Sequence, residues 1–305
     1  MGSVWMEKIV GIVAHDAGGA NILASYCRHN QGNYRYMLQG PAKSIFFEAL
    51  SIESEQNLPK FLAECDSFIC GTSGSADLER KVIRNAKILQ KHTKVILDHW
   101  VNYRERFEIE GNLVLPDQLI VVDNFAFTIA KEIFPKIPIQ RINNLYLEDF
   151  LSQYGKIKKN KASKRRSEIL YLSEGFNEYA VKDTYGLEKD LSYFEKFLEI
   201  KEKYFDNSLE VRVRLHPSED LSKFDMYKSI YGDILRADPN VDLTLDLINA
   251  NVVVGVRSMA LVLAVVCGIP TFSLLKDASS SGIPIPGIEY LGVLSNIKQG
   301  NDRLT

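Results

Sequence analysis

Two stretches carry residue types suited to holding an anion at a defined place: Arg214-Leu215-His216-Pro217, and the run from Val252 through Gly255, Arg257 and Ser258 to Ala260. Both look like the end of a buried parallel strand, where the chain breaks into polar, turn-forming residues at the carboxyl edge of its sheet. There, helix N-termini present free N–H groups to phosphate. Pro217 favours an extended conformation at His216, directing it along the sheet edge. His216 can then donate to a phosphate oxygen and stabilise a departing phosphorylated group. Ser258 suits two roles, capping the apolar helix that starts near Met259 and binding phosphate beside its N–H groups. Arg257 can neutralise the same charge. Ser173, Glu174 and Gly175 follow a further strand-like run, where Ser173 and Gly175 offer donors and Glu174 an acceptor for a base or ribose hydroxyl; a plain polar turn is the other reading.

The first half holds a second set. His15-Asp16-Ala17-Gly18-Gly19 follows an apolar run over residues 8–14. Glycines there permit a tight turn and close approach of a ligand to the backbone. The spacing is not GxGxxG, which argues against a dinucleotide site. Asp16 reads either as a general base, taking a proton from an attacking hydroxyl, or as a helix N-cap. Ser73, within Gly71-Thr72-Ser73-Gly74-Ser75, follows another strand-like run, and no lysine follows to make a Walker loop. Asp98 to Phe107 is a loop dense in polar and aromatic groups. Loops at sheet ends carry function disproportionately. His99, Asn102 and Arg104 are candidate contacts for an acceptor or a carboxylate, with Trp100 and Tyr103 available for stacking and Arg106 for pairing. Asp123 reads as a helix cap.

These groups must be placed by repeated strand–helix units. Strand-like runs at 8–14, 34–38, 67–70, 94–97 and 118–122 alternate with helix-compatible segments such as 20–28, 76–92 and 127–134. That alternation predicts a parallel sheet covered on both faces. A second series follows: strands at 168–172, 210–215, 252–256 and 270–274, and helices at 191–204 and 258–267. The expected class is α/β, two Rossmann-like domains facing a central cleft. The first, residues 1–150, would be the acceptor and catalytic-base domain. Residues 151–167 would be a basic linker, crowded with Lys156, Lys158, Lys159, Lys161, Lys164, Arg165 and Arg166. Residues 168–305 would be the nucleotide-binding domain.

Composition agrees with a globular chain of this size. The protein has 305 residues, 46% hydrophobic and 25% charged, enough for two domains of ordinary size. A net charge of -2 gives no nucleic-acid signature. Cys27, Cys65, Cys70 and Cys267 lack CxxC spacing and read as reduced, buried thiols of a cytoplasmic protein. No secretory signal is visible, and the longest apolar stretch, residues 261–275, is interrupted by Gly268-Ile269-Pro270 and too short to span a bilayer. No cluster has metal-ligand spacing, so neither a metal nor another cofactor is expected.

His216-Pro217, with Ser258 between a valine-rich strand and an apolar helix ending in Gly268-Ile269-Pro270, resembles the His-Pro and serine motifs of bacterial sialyltransferases and capsule Kdo transferases. These belong to the glycosyltransferase B fold. The resemblance implies that His216 and Ser258 hold the phosphate of a CMP-sugar donor and that an aspartate of the first domain is the base; Asp16 matches that position best. His15-Asp16-Ala17-Gly18 departs from the acidic-pair-plus-glycine motif of sialyltransferases. The implied activity is metal-independent transfer of a sugar, first a CMP-linked nonulosonate or Kdo, to a glycan or lipid-linked acceptor. Peripheral contact with the inner face of a membrane would run through residues 156–166. The alternatives are a nucleotide-sugar epimerase or hydrolase, a polyol-phosphate transferase using a CDP-alcohol, and a non-catalytic sugar- or nucleotide-binding protein.

Overall fold

The computed structural model describes residues 8–74, 76–160, 168–174, 190–216, 219, 235–237 and 242–294. Contacts divide the chain into two units, Met1–Asp149 and Phe150–Thr305.

The first unit is built on six parallel strands: β1 (Ile9–Ala14), β2 (Asn33–Leu38), β3 (Ser67–Cys70), β4 (His92–Ile96), β7 (Gln118–Val121) and β8 (Ile139–Arg141). Their order across the sheet is β2-β1-β3-β4-β7-β8. Ile12, Val13 and Ala14 of β1 are fully buried, because helices cover both faces of the sheet. Those helices are α1 (Ala17–His29), α2 (Ala42–Leu50), α3 (Leu58–Glu64), α4 (Leu78–Ile88) and α5 (Asn124–Ile133). Between β4 and β7 the chain makes an excursion containing a 3-10 turn at Glu105–Phe107 and a small hairpin, β5 (Glu108–Ile109) and β6 (Asn112–Leu113). The direction of strand addition reverses between β1 and β3. Ligands of open α/β sheets settle outside the carboxyl ends of the strands at such a reversal.

The second unit is also a six-stranded parallel sheet. Its strands are β9 (Glu168–Leu172), β10 (Glu210–Arg214), β11 (Leu235–Ala237), β12 (Ala250–Gly255), β13 (Thr271–Leu275) and β14 (Ile288–Leu294), in the order β11-β10-β9-β12-β13-β14. The reversal falls between β9 and β12. Alternation along β10 separates two environments. Val211 and Val213 join a core with Tyr171, Phe194 and Phe197, the last two from α7 (Asp190–Tyr204). Arg212 and Arg214 point to the other face, where Arg212 grips buried Glu168 at 2.7 and 3.0 Å and Arg214 reaches Asp246 at 2.5 Å. Asp246 lies on α8 (Leu243–Asn249). The remaining described helices are α9 (Met259–Val266) and the short α10 (Ala278–Ser281).

Residues 151–160, expected as the start of a linker, belong to a helix, α6 (Leu145–Asn160), which runs across the boundary between the units. Lys158 and Lys159 stand in its last turn, where a cation complements the helix dipole. Residues 161–167 lie outside the described residues. The expected helix at 76–92 stops at Ile88, and β4 begins at His92, two residues early.

Candidate functional site

At the carboxyl edge of the first sheet, β1 ends at Ala14 and His15-Asp16 turn the chain into α1. Asp16 occupies the N-cap position, yet its carboxylate makes no capping bond to that helix. It turns instead across the reversal point to the loop after β3. Oδ1 accepts from Ser73 Oγ at 2.8 Å, and Oδ2 from the Gly74 N–H at 3.0 Å. Oδ1 also meets His15 Nδ1 at 2.6 Å. The His15 ring lies over Gly40, whose φ of +51° and lack of a side chain leave room for it: a β-carbon there would fall 2.7 Å from both Cε1 and Nε2.

Two more carboxylates converge here that sequence reading did not single out. Glu79, in the first turn of α4, is buried and accepts the His15 backbone N–H at 2.8 Å through Oε1, while among the described residues Oε2 has no hydrogen-bond partner. Burial raises its pKa from 4.5 to about 7, and the charge of Asp16 pushes it the same way. Asp98, after β4, lies against the first turn of α1, so that any side chain at Gly18 would collide with Oδ2. Its Oδ1 accepts from Thr72 Oγ1 and from Arg106, both at 2.9 Å. The positive end of α1 therefore faces a carboxylate supplied by the protein itself. Buried Arg80 ties the surrounding loops together by donating to the carbonyls of Ser73 and Arg106.

Other expected residues take different places. Gly19 is buried against Gly71, where it allows α1 and the end of β3 to touch, which is a packing role. Ser73 is buried and serves Asp16 and the Ala76 N–H. Trp100 and Tyr103 are core residues, which removes them as stacking surfaces; Trp100 Nε1 donates to Asp123 at 2.9 Å. Asp123 also caps α5 through the Ala126 N–H, as expected. His99 Nδ1 accepts the Trp100 N–H, and Asn102 adopts a left-handed φ of +57°. Arg104 is exposed, whereas Arg106 is taken by Asp98.

At the carboxyl edge of the second sheet, Ser173 and Glu174 follow β9, and Arg257 and Ser258 follow β12. The structure brings these two pairs to the reversal point. Glu174, nearly buried, accepts the backbone N–H of Arg257 and lies 3.7 Å from its guanidinium. The expected ribose acceptor and the expected phosphate cation are thus paired with each other. Ser258 caps α9 through the Ala260 N–H at 3.2 Å, and Met259 opens that helix. His216 is exposed after β10, and its backbone N–H donates to Glu219 at 2.6 Å. Glu219 accepts from Ser173 Oγ at 2.9 Å as well, linking the loops after β9 and β10. Gly175, Pro217 and Ser218 lie outside the described residues. Sequence reading also passed over Asp277 after β13, whose pKa falls to about 2 because Ser279 and Ser280 donate to it. Among the described residues, no group of three or more His, Cys, Asp or Glu is placed to hold a metal ion, and no helix is long and apolar enough to cross a membrane.

No protein-family model and no curated protein matches the sequence. Solved structures do match. UDP-GlcNAc 2-epimerase from Neisseria meningitidis aligns over 93% of this chain and 88% of its own, with a TM-score of 0.64 at 13% identity. The α/β-galactoside α-2,3-sialyltransferase of Photobacterium phosphoreum aligns over 93% and 98%, with a TM-score of 0.54 at 10% identity. MurG of Acinetobacter baumannii aligns over 95% and 87%, at 0.50 and 11%. The chain has the glycosyltransferase B fold. Its two sheets are the two Rossmann-like domains of that fold, and both candidate clusters lie at the switch points, β1/β3 in the first and β9/β12 in the second.

Proposed function

We propose that this glycosyltransferase B-fold chain is an enzyme acting on a nucleotide-activated sugar, and that it transfers the sugar to a glycan or lipid-linked acceptor. The observation that carries this reading is the His15–Asp16 pair, turned away from its own helix and held by Ser73 and Gly74 at the first switch point. An N-cap needs none of these contacts; a group that takes a proton from an attacking hydroxyl needs a fixed orientation. The second domain would hold the nucleotide: His216, Ser258 and the N–H groups of α9 are suited to the phosphate, and Glu174 keeps Arg257 in place beside them. Leaving-group stabilisation would then come from these groups, without a metal. The His216-Pro217 and Ser258 motifs support a CMP-linked nonulosonate or Kdo as donor. Peripheral contact with a membrane through residues 156–166 is the matching proposal for location.

The concentration of proton-handling groups at the first edge, His15, Asp16 and Glu79, also suits a nucleotide-sugar epimerase or hydrolase, which needs no sugar acceptor. One assay separates the two. The protein is incubated with a CMP-nonulosonate, CMP-Kdo or UDP-GlcNAc, with and without oligosaccharide acceptors, and free nucleotide and product masses are read. Transfer predicts an acceptor heavier by one sugar and nucleotide release that depends on the acceptor. Equal release without acceptor supports the epimerase or hydrolase. Every donor remaining intact contradicts both.

A further inference from the structure

We infer that the atom receiving the acceptor's proton is His15 Nε2, and that Asp16 is the positioning residue that makes it available; this rests on the reading of the first domain as the acid–base domain. The two residues differ in what the protein leaves them free to do. Both Asp16 oxygens are occupied by protein donors: Oδ1 by His15 and Ser73, Oδ2 by the Gly74 N–H. A carboxylate oxygen has two lone pairs, so Oδ1 is filled. His15 is used at one nitrogen only. Nδ1 faces Asp16 at 2.6 Å, and among the described residues Nε2 has no hydrogen-bond partner. The side chain keeps 21% of its surface exposed.

A carboxylate at Nδ1 fixes the tautomer with hydrogen on Nδ1 and a lone pair on Nε2, the same logic by which an aspartate prepares a histidine base for a serine nucleophile. The ring is fixed by more than Asp16. Gly40 supports its face, and Glu79 holds the His15 main chain through the backbone N–H. In the step itself, the acceptor oxygen bonds to the anomeric carbon while its proton passes to Nε2. The bond from that carbon to the donor phosphate breaks, and its electron pair leaves on the phosphate oxygen. The imidazolium so formed is stabilised by the adjacent Asp16 carboxylate.

The test separates this assignment from the proposed function. Long-range ¹H–¹⁵N NMR of the uniformly labelled full chain reads the tautomer of each histidine, with His15 assigned from the loss of its signals in His15→Gln. The inference expects His15, when neutral, to carry hydrogen on Nδ1, and Asp16→Asn to shift it towards the tautomer mixture of a free imidazole. Turnover of whichever donor the wild type consumes should fall about 100-fold or more in His15→Gln and in Asp16→Asn. Nucleotide affinity should be unchanged in both. Hydrogen on Nε2 in the wild type overturns the inference, as does His15→Gln retaining turnover that Asp16→Asn abolishes. Either result leaves the sugar-transfer reading standing. That reading fails separately, if the wild type consumes no donor.

Discussion

The carboxyl edges of the two sheets are built on the same topology and carry different chemistry. In the first domain the switch point is acidic: Asp16, Glu79 and Asp98 converge there, and Asp98 already lies at the positive end of α1. In the second, a serine caps α9, the arginine beside it is paired with Glu174, and an exposed histidine follows β10, two strands away, with its backbone N–H held by Glu219. A phosphate approaching the first edge would meet carboxylates where it needs donors. At the second edge the carboxylates Glu174 and Glu219 are each engaged by protein donors, and Ser258 stands at the N-terminus of α9. One fold thus yields two differently charged edges, the ones proposed to handle the proton and to hold the phosphate, by changing the few residues that follow each strand.

The sharpest way to break the first edge is to strip its counter-charge. Asp98 and Arg106 are largely buried, with side chains 10% and 14% exposed. Arg106→Met leaves Asp98 unpaired and should cost about 3–5 kcal/mol, read by urea unfolding. A loss below 1 kcal/mol would mean that Asp98 is solvated and does not hold the edge together.

Glu79 gives a pH-dependent comparison. Its folded pKa is raised from 4.5 to about 7, so its contribution to stability is fully present below pH 4.5 and is lost as pH rises through about 7. At 1.36 kcal/mol per unit, that loss is about 3 kcal/mol. Glu79→Gln removes it. The variant's stability relative to wild type should therefore improve by about that amount between pH 4.5 and pH 8.5. Parallel pH profiles for the two proteins would show that the buried carboxyl does not titrate in this range.

The smallest effect belongs to the second edge. Ser258→Ala removes the α9 cap and should cost about 1 kcal/mol of stability, and it should also weaken nucleotide binding. Loss of stability with nucleotide affinity intact would assign Ser258 to the cap alone.

The difference between the edges also marks how far the sequence could be read. Strands buried on both faces, such as Ile9–Ala14 and the Val252–Gly255 part of Ala250–Gly255, announce themselves as unbroken apolar runs. The short strands Ile139–Arg141 and Leu235–Ala237 lie at sheet edges and carry polar residues, so no such run marks them. His15, Asp16, Ser73, His216 and Ser258 were legible because each follows a strand signal directly. Asp98 follows the 94–97 run just as directly but was passed over among the other polar groups of its loop, and Glu79 carried no such signal. Glu79 sits in a helix whose exposed face is also charged, and its contact with His15 spans 64 residues. The available signal was the pair Glu79-Arg80 at a helix start just after a glycine-rich turn, where both side chains prove buried. Trp100 and Tyr103 misled for the converse reason: aromatics in a polar loop suggest a stacking surface, yet here they fill the core beneath it.

The most direct test of the account is nucleotide binding, measured by thermal shift with CMP, CDP, UDP, GDP and ADP on the wild type, His216→Ala and Asp16→Asn. Stabilisation by a nucleotide, CMP first, is expected, lost in His216→Ala and kept in Asp16→Asn. Stabilisation lost in Asp16→Asn but kept in His216→Ala would place the nucleotide at the acidic edge and contradict the division of labour between the two domains. No shift with any nucleotide would contradict the nucleotide-sugar reading itself.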